Sequence, residues 1–134
     1  MRVISRVIFA IGFTFLLGSP LAASWALDLS DKAGLQAAMQ RHIQRNLVDG
    51  AYLHLKTKTG EVQRLQPVTP HPMIMKMGQH FVLCFDFRDA EGKAVEIDFY
   101  LARRNRSFVV FHAAIENRAM LMRFMKAGKV ERAG

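Results

Sequence analysis

An alternating row of large apolar residues is the feature that most constrains how this 134-residue chain can fold. Phe81, Leu83, Phe85 and Phe87 occupy every second position. A second run with the same spacing follows, made of Val95, Ile97, Phe99 and Leu101. Because alternate side chains of a β-strand point to the same face, the two runs predict two strands with one apolar side. That side of the sheet needs a cover.

The loop between the two runs, Ala90-Glu91-Gly92, ends in glycine and predicts an antiparallel hairpin. The expected pairs are Phe87 with Val95, Phe85 with Ile97, Leu83 with Phe99 and Phe81 with Leu101. A slip of one residue would turn one apolar row to the opposite face, so only this register fits. A third strand covers residues 108–111, and a turn at Arg104-Asn105 would set Leu101 against Phe108.

A helix between Asp28 and Gly50 is the expected cover. Its apolar stripe recurs every four residues and consists of Leu35, Met39, Ile43 and Leu47. Asp28 or Ser30 is a suitable N-cap. The opposite side carries Lys32, Gln40, Arg41, Gln44 and Arg45, which is typical of a solvated helix face.

The remaining segments complete a small α+β domain. Residues 51–55 and 61–66 predict an edge hairpin that sets Leu53 opposite Leu65, and residues 118–127 predict a short C-terminal helix. The expected architecture is an N-terminal helix packed on a five-stranded antiparallel meander sheet, followed by that short helix. This order resembles cystatin-like and NTF2-like architectures at the level of fold. Such folds serve binding, inhibitory, structural and catalytic roles alike.

Residues 1–26 have the pattern of a signal peptide, with Arg2 and Arg6 before an apolar run and small residues up to Ala26. The run is about half of the roughly 20 residues that a membrane helix requires, so no membrane span is expected after cleavage near Ala26. Residues 27–134 are then one domain, exported to the periplasm or secreted. Cys84 is the only cysteine, so no internal disulfide is expected.

The chain is basic, with 19 Lys and Arg residues against 11 Asp and Glu residues and a net charge of +8. Removal of residues 1–26 takes away two of the basic residues and none of the acidic ones, which leaves +6. This balance favours a small anionic ligand or another anionic partner. Nucleic acid is not an expected partner of an exported protein.

The alternate residues of the central strands form a second sheet face that is a candidate ligand or partner surface. Its members are Asp86, Arg88, Glu96, Asp98, Tyr100 and Phe111. Asp86 is expected opposite Glu96, where two carboxylates could share a proton, hold a hard cation, or act as acid and base. The alternative is a solvated face on which Arg88 or another basic residue neutralises them. The apolar members suit a cleft or a homodimer contact.

One segment has a spacing that suits copper. It contains His71, Met73, Met75, Met77 and His80, and thioether and imidazole ligands favour Cu(I). In an unbroken strand, however, the methionines share the parity of Phe81 and point into the core, away from His80. A bulge at Gly78 would bring them together. Otherwise the methionines are adaptable core residues.

Two further groups have both a chemical and a structural interpretation. Cys84 would be a nucleophile if His112 or His80 served as its base, and is otherwise a small buried hydrophobic residue. Arg103, Arg104 and Arg106 crowd a hairpin tip, where they could grip phosphate or carboxylate or could serve solubility alone.

The sequence therefore predicts an exported, non-catalytic binding or accessory module without a cofactor. It would bind an unknown protein or a small anionic ligand through the second sheet face and the basic hairpin tip. The alternative is a periplasmic Cu(I)-binding protein that uses the methionine segment. An enzyme that uses Asp86, Glu96 and Asp98 is the third hypothesis.

Overall fold

The computed structural model describes residues 27–133, so the predicted signal peptide and its cleavage site lie outside the described residues. Within this range, two helices and an antiparallel sheet confirm the α+β class. The elements are α1 (Leu29–Arg45), β1 (Leu47–Val48), β2 (Ala51–Lys56), β3 (Glu61–Met77), β4 (His80–Arg88), β5 (Ala94–Arg104), β6 (Ser107–Ile115), α2 (Arg118–Lys126) and β7 (Glu131–Arg132). Within residues 27–133, neither α1 nor α2 has the length and hydropathy that a membrane-spanning helix needs.

The sheet has more strands than the five predicted. Strands β1 to β6 follow one another as a meander, and the short β7 pairs with β3. The long β3 contains Pro67, Pro70 and Pro72, and its pairing with β4 is irregular between Pro67 and Thr69 and between Pro70 and Ile74. A turn at Gly78-Gln79 then separates β3 from β4. Gly78 has a φ of +60°, a conformation that glycine adopts readily.

The central hairpin has the predicted register. Phe87 faces Val95, Phe85 faces Ile97, Leu83 faces Phe99 and Phe81 faces Leu101. The two apolar rows therefore share one side of the sheet, which we call the first face. The opposite side is the second face.

The predicted registers of the two neighbouring hairpins are wrong. Leu101 faces Val110, because the β5–β6 turn lies at Asn105-Arg106 and Asn105 adopts a left-handed φ of 55° that asparagine tolerates. An irregularity beyond Leu101 shifts the pairing again. In the edge hairpin Leu65 faces Tyr52 instead of Leu53, which places the larger aromatic side chain in the core.

Helix α1 covers the first face. The Asp28 side chain caps it by accepting a hydrogen bond of 2.6 Å from the Asp31 backbone N–H. Leu35, Met39 and Ile43 are buried against the phenylalanine row. The helix ends at Arg45, earlier than predicted, so Leu47 belongs to β1. Gly34 lets α1 approach β6 closely, since a Cβ there would lie 3.2 Å from the Phe108 ring.

Helix α2 covers part of the second face. Leu121 of α2 packs into a second apolar cluster whose buried members are Met75, Val82, Cys84, Tyr100, Ala114, Leu121 and Val130. Beside this cluster lie the carboxylates of β4 and β5, of which Asp86 and Glu96 are partly exposed and Asp98 is buried. The first residue of α2, Arg118, reaches them from the end of the helix.

Candidate functional site

The first candidate site is a network on the second face that we call the carboxylate cluster. It consists of His71, Cys84, Asp86, Glu96, Asp98 and Arg118. Asp86 faces Glu96 and Cys84 faces Asp98, as the register predicts. Three acidic side chains therefore lie on neighbouring positions of two strands, and a cation is needed to offset their repulsion.

Arg118 supplies that positive charge. Its Nε and NH2 groups donate to the two oxygens of Glu96 at 3.1 and 2.8 Å, and its NH1 donates to Asp98 Oδ1 at 3.0 Å. Sequence reasoning allowed for a basic residue here but did not identify Arg118. Arg88, the residue named, is exposed and donates instead to the backbone oxygen of Gly92 at 3.0 Å.

Cys84 does not have the environment of a nucleophile. Its thiol donates to Asp98 Oδ1 at 2.9 Å, and Arg118 NH1 lies 3.3 Å from Sγ. Burial, reinforced by Asp98, raises the pKa of Cys84 to about 12. Of the two proposed bases, His80 packs against Phe111 at 5.3 Å between ring centroids, and His112 packs against Tyr100.

Burial also raises the pKa of Asp98, whose side chain is almost fully buried. The hydrogen bond from Cys84 and the charge of Arg118 act in the opposite direction. Asp98 Oδ1 accepts hydrogen bonds from both groups, an arrangement that suits an ionised carboxylate.

His71 joins the carboxylate cluster from the irregular part of β3. Its Nε2 lies 2.9 Å from Asp86 Oδ1 and 3.9 Å from Glu96 Oε1. Its backbone oxygen accepts a hydrogen bond of 3.0 Å from Gln36 Nε2 of α1, which fixes this part of the strand. The sequence grouped His71 with the methionines; the structure places its ring with the acidic residues.

The methionine segment does not point into the phenylalanine core, because a turn interrupts the strand whose continuity the predicted parity required. The Gly78-Gln79 turn pairs Met77 with His80 and Met75 with Val82, which belongs to the second face. Met75 is buried in the second apolar cluster, Met77 is half-buried beside it, and Met73 is exposed. Met75, Met77 and His80 therefore share one face without a bulge.

The two aromatic residues of the predicted partner surface differ in exposure. Tyr100 is only 3% exposed within the second apolar cluster, and its hydroxyl has no hydrogen-bond partner among the described residues. Phe111 is 53% exposed. Tyr100 is thus not available for contact with a partner, whereas Phe111 is.

The second candidate site is a cavity of about 160 Å³ between α1 and the β5–β6 hairpin, which we call the arginine pocket. Arg41 and Arg45 line it from α1, and Arg104 lines it from the end of β5. Phe108 and Val110 contribute apolar surface, while His42, Asn46 and Ser107 add polar groups. Across residues 27–133 none of the three arginines forms an ion pair.

Only one of the three arginines predicted at the hairpin tip belongs to this pocket. Arg103 NH2 pairs with Asp31 Oδ2 at 2.6 Å, and its guanidinium lies 4.6 Å from the centroid of the Phe108 ring. Arg106 is exposed and does not line the cavity. Arg41 and Arg45 were assigned to a solvated helix face, although their spacing of four residues places them on the same side of α1.

His42 contributes a neutral ring to the arginine pocket. Burial, followed by the charge of Arg45, lowers its pKa below the usual 6.5. Its Nε2 lies 3.2 Å from the hydroxyl of Tyr52, and its ring packs against Phe99 in the first-face core. The positive charge of the pocket therefore comes from its arginines.

Comparison with family models, with curated proteins and with solved structures finds no match for this chain. Function must therefore be inferred from the two sites themselves. One is a cationic cavity on the helix side of the sheet, and the other is an acidic cluster on the opposite side.

Proposed function

We propose that this protein is an exported, non-catalytic binding module that holds a small oxyanion in the arginine pocket. The observation that carries the proposal is the convergence of Arg41, Arg45 and Arg104 on one cavity without a carboxylate among the described residues to pair with them. Like charges brought together in a folded protein repel one another, and a bound anion would remove that repulsion.

The chemistry of the pocket favours a phosphate or carboxylate group. A guanidinium presents a planar fork of donors that matches both groups, and Ser107 and Asn46 offer further hydrogen bonds. A cavity of about 160 Å³ corresponds to about five water molecules, so it suits inorganic phosphate or a short carboxylic acid. The net positive charge of the chain would also speed the arrival of an anion.

The arrangement of potential catalytic groups supports binding over catalysis. Glu96 and Asp98 are held by Arg118, Asp86 is hydrogen-bonded to His71, and the thiol of Cys84 is protonated and buried. In the arginine pocket Ser107 has no hydrogen-bonded histidine, since the described contact of His42 Nε2 is with Tyr52. A general acid, a general base or a nucleophile would need a side chain that is not already held by neighbouring groups.

Isothermal titration with inorganic phosphate, and separately with succinate, tests the proposal. We expect saturable binding of at least one of them, weakened about tenfold or more by Arg104→Gln, because a hydrogen bond to a charged group contributes about 1.5–3 kcal/mol. Arg106→Gln is the matched control, since it removes the same charge from the same hairpin outside the pocket. Absence of binding by the wild type, or equal weakening by both variants, would contradict the proposal.

Cu(I) binding by the methionine segment is a second candidate function, favoured by the placement of Met75, Met77 and His80 on one face. We expect sub-micromolar Cu(I) affinity that Met75→Ala reduces by at least about tenfold, since soft thioether ligands select Cu(I). Met122→Ala, which alters an exposed methionine of α2, should leave it unchanged. A competition titration that shows no sub-micromolar Cu(I) affinity would eliminate this function.

A further inference from the structure

We propose that His71, Asp86 and Glu96 form a binding site for a divalent transition-metal cation such as Zn²⁺. The site lies in the carboxylate cluster on the second face and is independent of the arginine pocket on the helix side. It also differs from the Cu(I) hypothesis, because it takes one imidazole and two carboxylates in place of thioethers.

The three ligand atoms already converge. Nε2 of His71 lies 2.9 Å from Asp86 Oδ1 and 3.9 Å from Glu96 Oε1, and one ligand atom of each of the three residues lies within 4.8 Å of the other two. In a tetrahedral zinc site with bonds of about 2.0–2.2 Å, neighbouring ligand atoms are about 3.4 Å apart. Each of the two distances from His71 Nε2 is within about half an ångström of that value, a difference that side-chain rotation can remove.

The ligand set favours a transition metal over magnesium or calcium. Mg²⁺ and Ca²⁺ prefer sites built from oxygen ligands, whereas an imidazole nitrogen suits zinc and its neighbours. The side chains of His71, Asp86 and Glu96 are 31%, 36% and 41% exposed, so a metal here would be open to solvent on one side. Three protein ligands with an open position form a common type of zinc site.

The charge of the surroundings matches a divalent cation. Arg118 is shared between Glu96 at 2.8 Å and Asp98 at 3.0 Å, so one positive charge lies among the three carboxylates of the cluster and a net negative charge remains. Arg118 also holds both oxygens of Glu96, and Oε1 retains a second lone pair for a metal. Hydrogen bonds that orient a metal ligand in this way commonly strengthen metal binding.

The hydrogen bond between His71 and Asp86 occupies the lone pairs that a metal would use. Nε2 and Oδ1 lie 2.9 Å apart, and which of them donates depends on the tautomer of the ring. A metal bound to both atoms would replace this hydrogen bond with two metal–ligand bonds, and the ring would then carry its proton on Nδ1. The hydrogen bond from Gln36 to the backbone oxygen of His71 would keep the ring in place during this exchange.

Isothermal titration of the purified protein with zinc chloride, in a buffer without chelators or phosphate, tests the site. We expect one site of micromolar affinity or tighter, weakened at least about tenfold by His71→Ala and by Asp86→Asn, since each changes a side chain that would bind the metal directly. His112→Ala removes an exposed histidine outside the cluster and should bind zinc as the wild type does. Millimolar Mg²⁺ should not displace the zinc.

Circular dichroism and urea unfolding without metal establish that each variant is folded, and His71→Gln and Glu96→Gln supply further substitutions of the same ligands. Zinc should shift the ring resonances of His71 in the NMR spectrum of the wild-type protein. It should also raise the melting temperature of the protein, as expected for a ligand that binds only the folded state. The proposal is wrong if the wild type binds no zinc, if the folded ligand variants keep wild-type affinity, or if the His71 resonances do not respond. The anion proposal is tested separately, by phosphate binding to the Arg104→Gln variant. Either the anion site or the zinc site can therefore be disproved without affecting the other.

Discussion

Cys84 lies in the second apolar cluster with its thiol directed at Asp98, and Arg118 contacts its sulfur from the start of α2. Transfer of a thiolate into this buried position, next to a carboxylate, would be costly, and Arg118 offsets only part of that cost. The same residue on an exposed strand near a histidine would be reactive. Its neighbours in space, which sequence spacing does not reveal, therefore determine its chemistry.

We predict that Cys84 resists alkylation in the native protein. With its pKa raised from 9.0 to about 12, the thiolate fraction at about pH 8 falls by about three powers of ten relative to the unfolded chain. The rate of iodoacetamide labelling, measured by mass spectrometry with and without guanidinium chloride, should fall by at least that factor.

A matched control is Ala119→Cys in a Cys84→Ala background, which places a thiol on the exposed side of α2. That thiol should react at similar rates in the native and unfolded states. Equal labelling of Cys84 in both states would show that its thiol is accessible and ionisable, contrary to this interpretation.

At the scale of the elements, the central hairpin could be predicted because only one register satisfies both of its apolar rows. The same register also predicts that Asp86 lies opposite Glu96. The hairpins on either side of the central hairpin lack two such apolar rows. The pairing of β3 is interrupted around its prolines, and that of β6 shifts beyond Val110, at positions that depend on packing against the rest of the sheet.

Some side chains of the two candidate sites come from elements that are distant in sequence, so their contacts could not be predicted. Arg118 lies 22 residues after Glu96 and reaches it only because α2 begins above the second face. His71 lies 15 residues before Asp86 and meets it only because β3 is irregular there. The arginines of α1 were recognised as one helix face, but their approach to Arg104 depends on how α1 crosses the sheet.

At the scale of the whole molecule, the sheet separates two sites of opposite charge. Helix α1 brings Arg41 and Arg45 to the first-face side, and α2 brings Arg118 to the carboxylates of the second face. Each helix thus covers an apolar surface of the sheet and places cationic side chains at the edge of that surface. The two proposed ligands, an anion and a cation, would bind on opposite sides of one sheet without competing for residues.

The buried ionisable groups of both faces predict how stability depends on pH. The lowered pKa of His42 means that the unfolded chain binds more protons below about pH 6.5, so stability falls as the pH decreases from there. The raised pKa values of Cys84, Tyr52 and Tyr100 mean that the folded chain keeps protons that the unfolded chain loses, so stability falls as the pH rises above about 9. Asp98, with a raised pKa, acts against His42 in acid, because the folded state takes up its proton first.

Urea unfolding at about pH 5, 7.5 and 10 should therefore give a lower midpoint at about pH 10 than at 7.5, whereas the midpoint at about pH 5 reflects the opposing effects of His42 and Asp98. His42→Gln removes the group that destabilises the folded state in acid, so its midpoint at about pH 5 should rise relative to its midpoint at 7.5, even if the variant is less stable overall. Cys84→Ala should likewise reduce the loss at about pH 10, with the tyrosines accounting for what remains. If His42→Gln leaves the difference between the two lower pH values unchanged, His42 does not link protonation to unfolding, and its ring is not held neutral by the arginine pocket and the core.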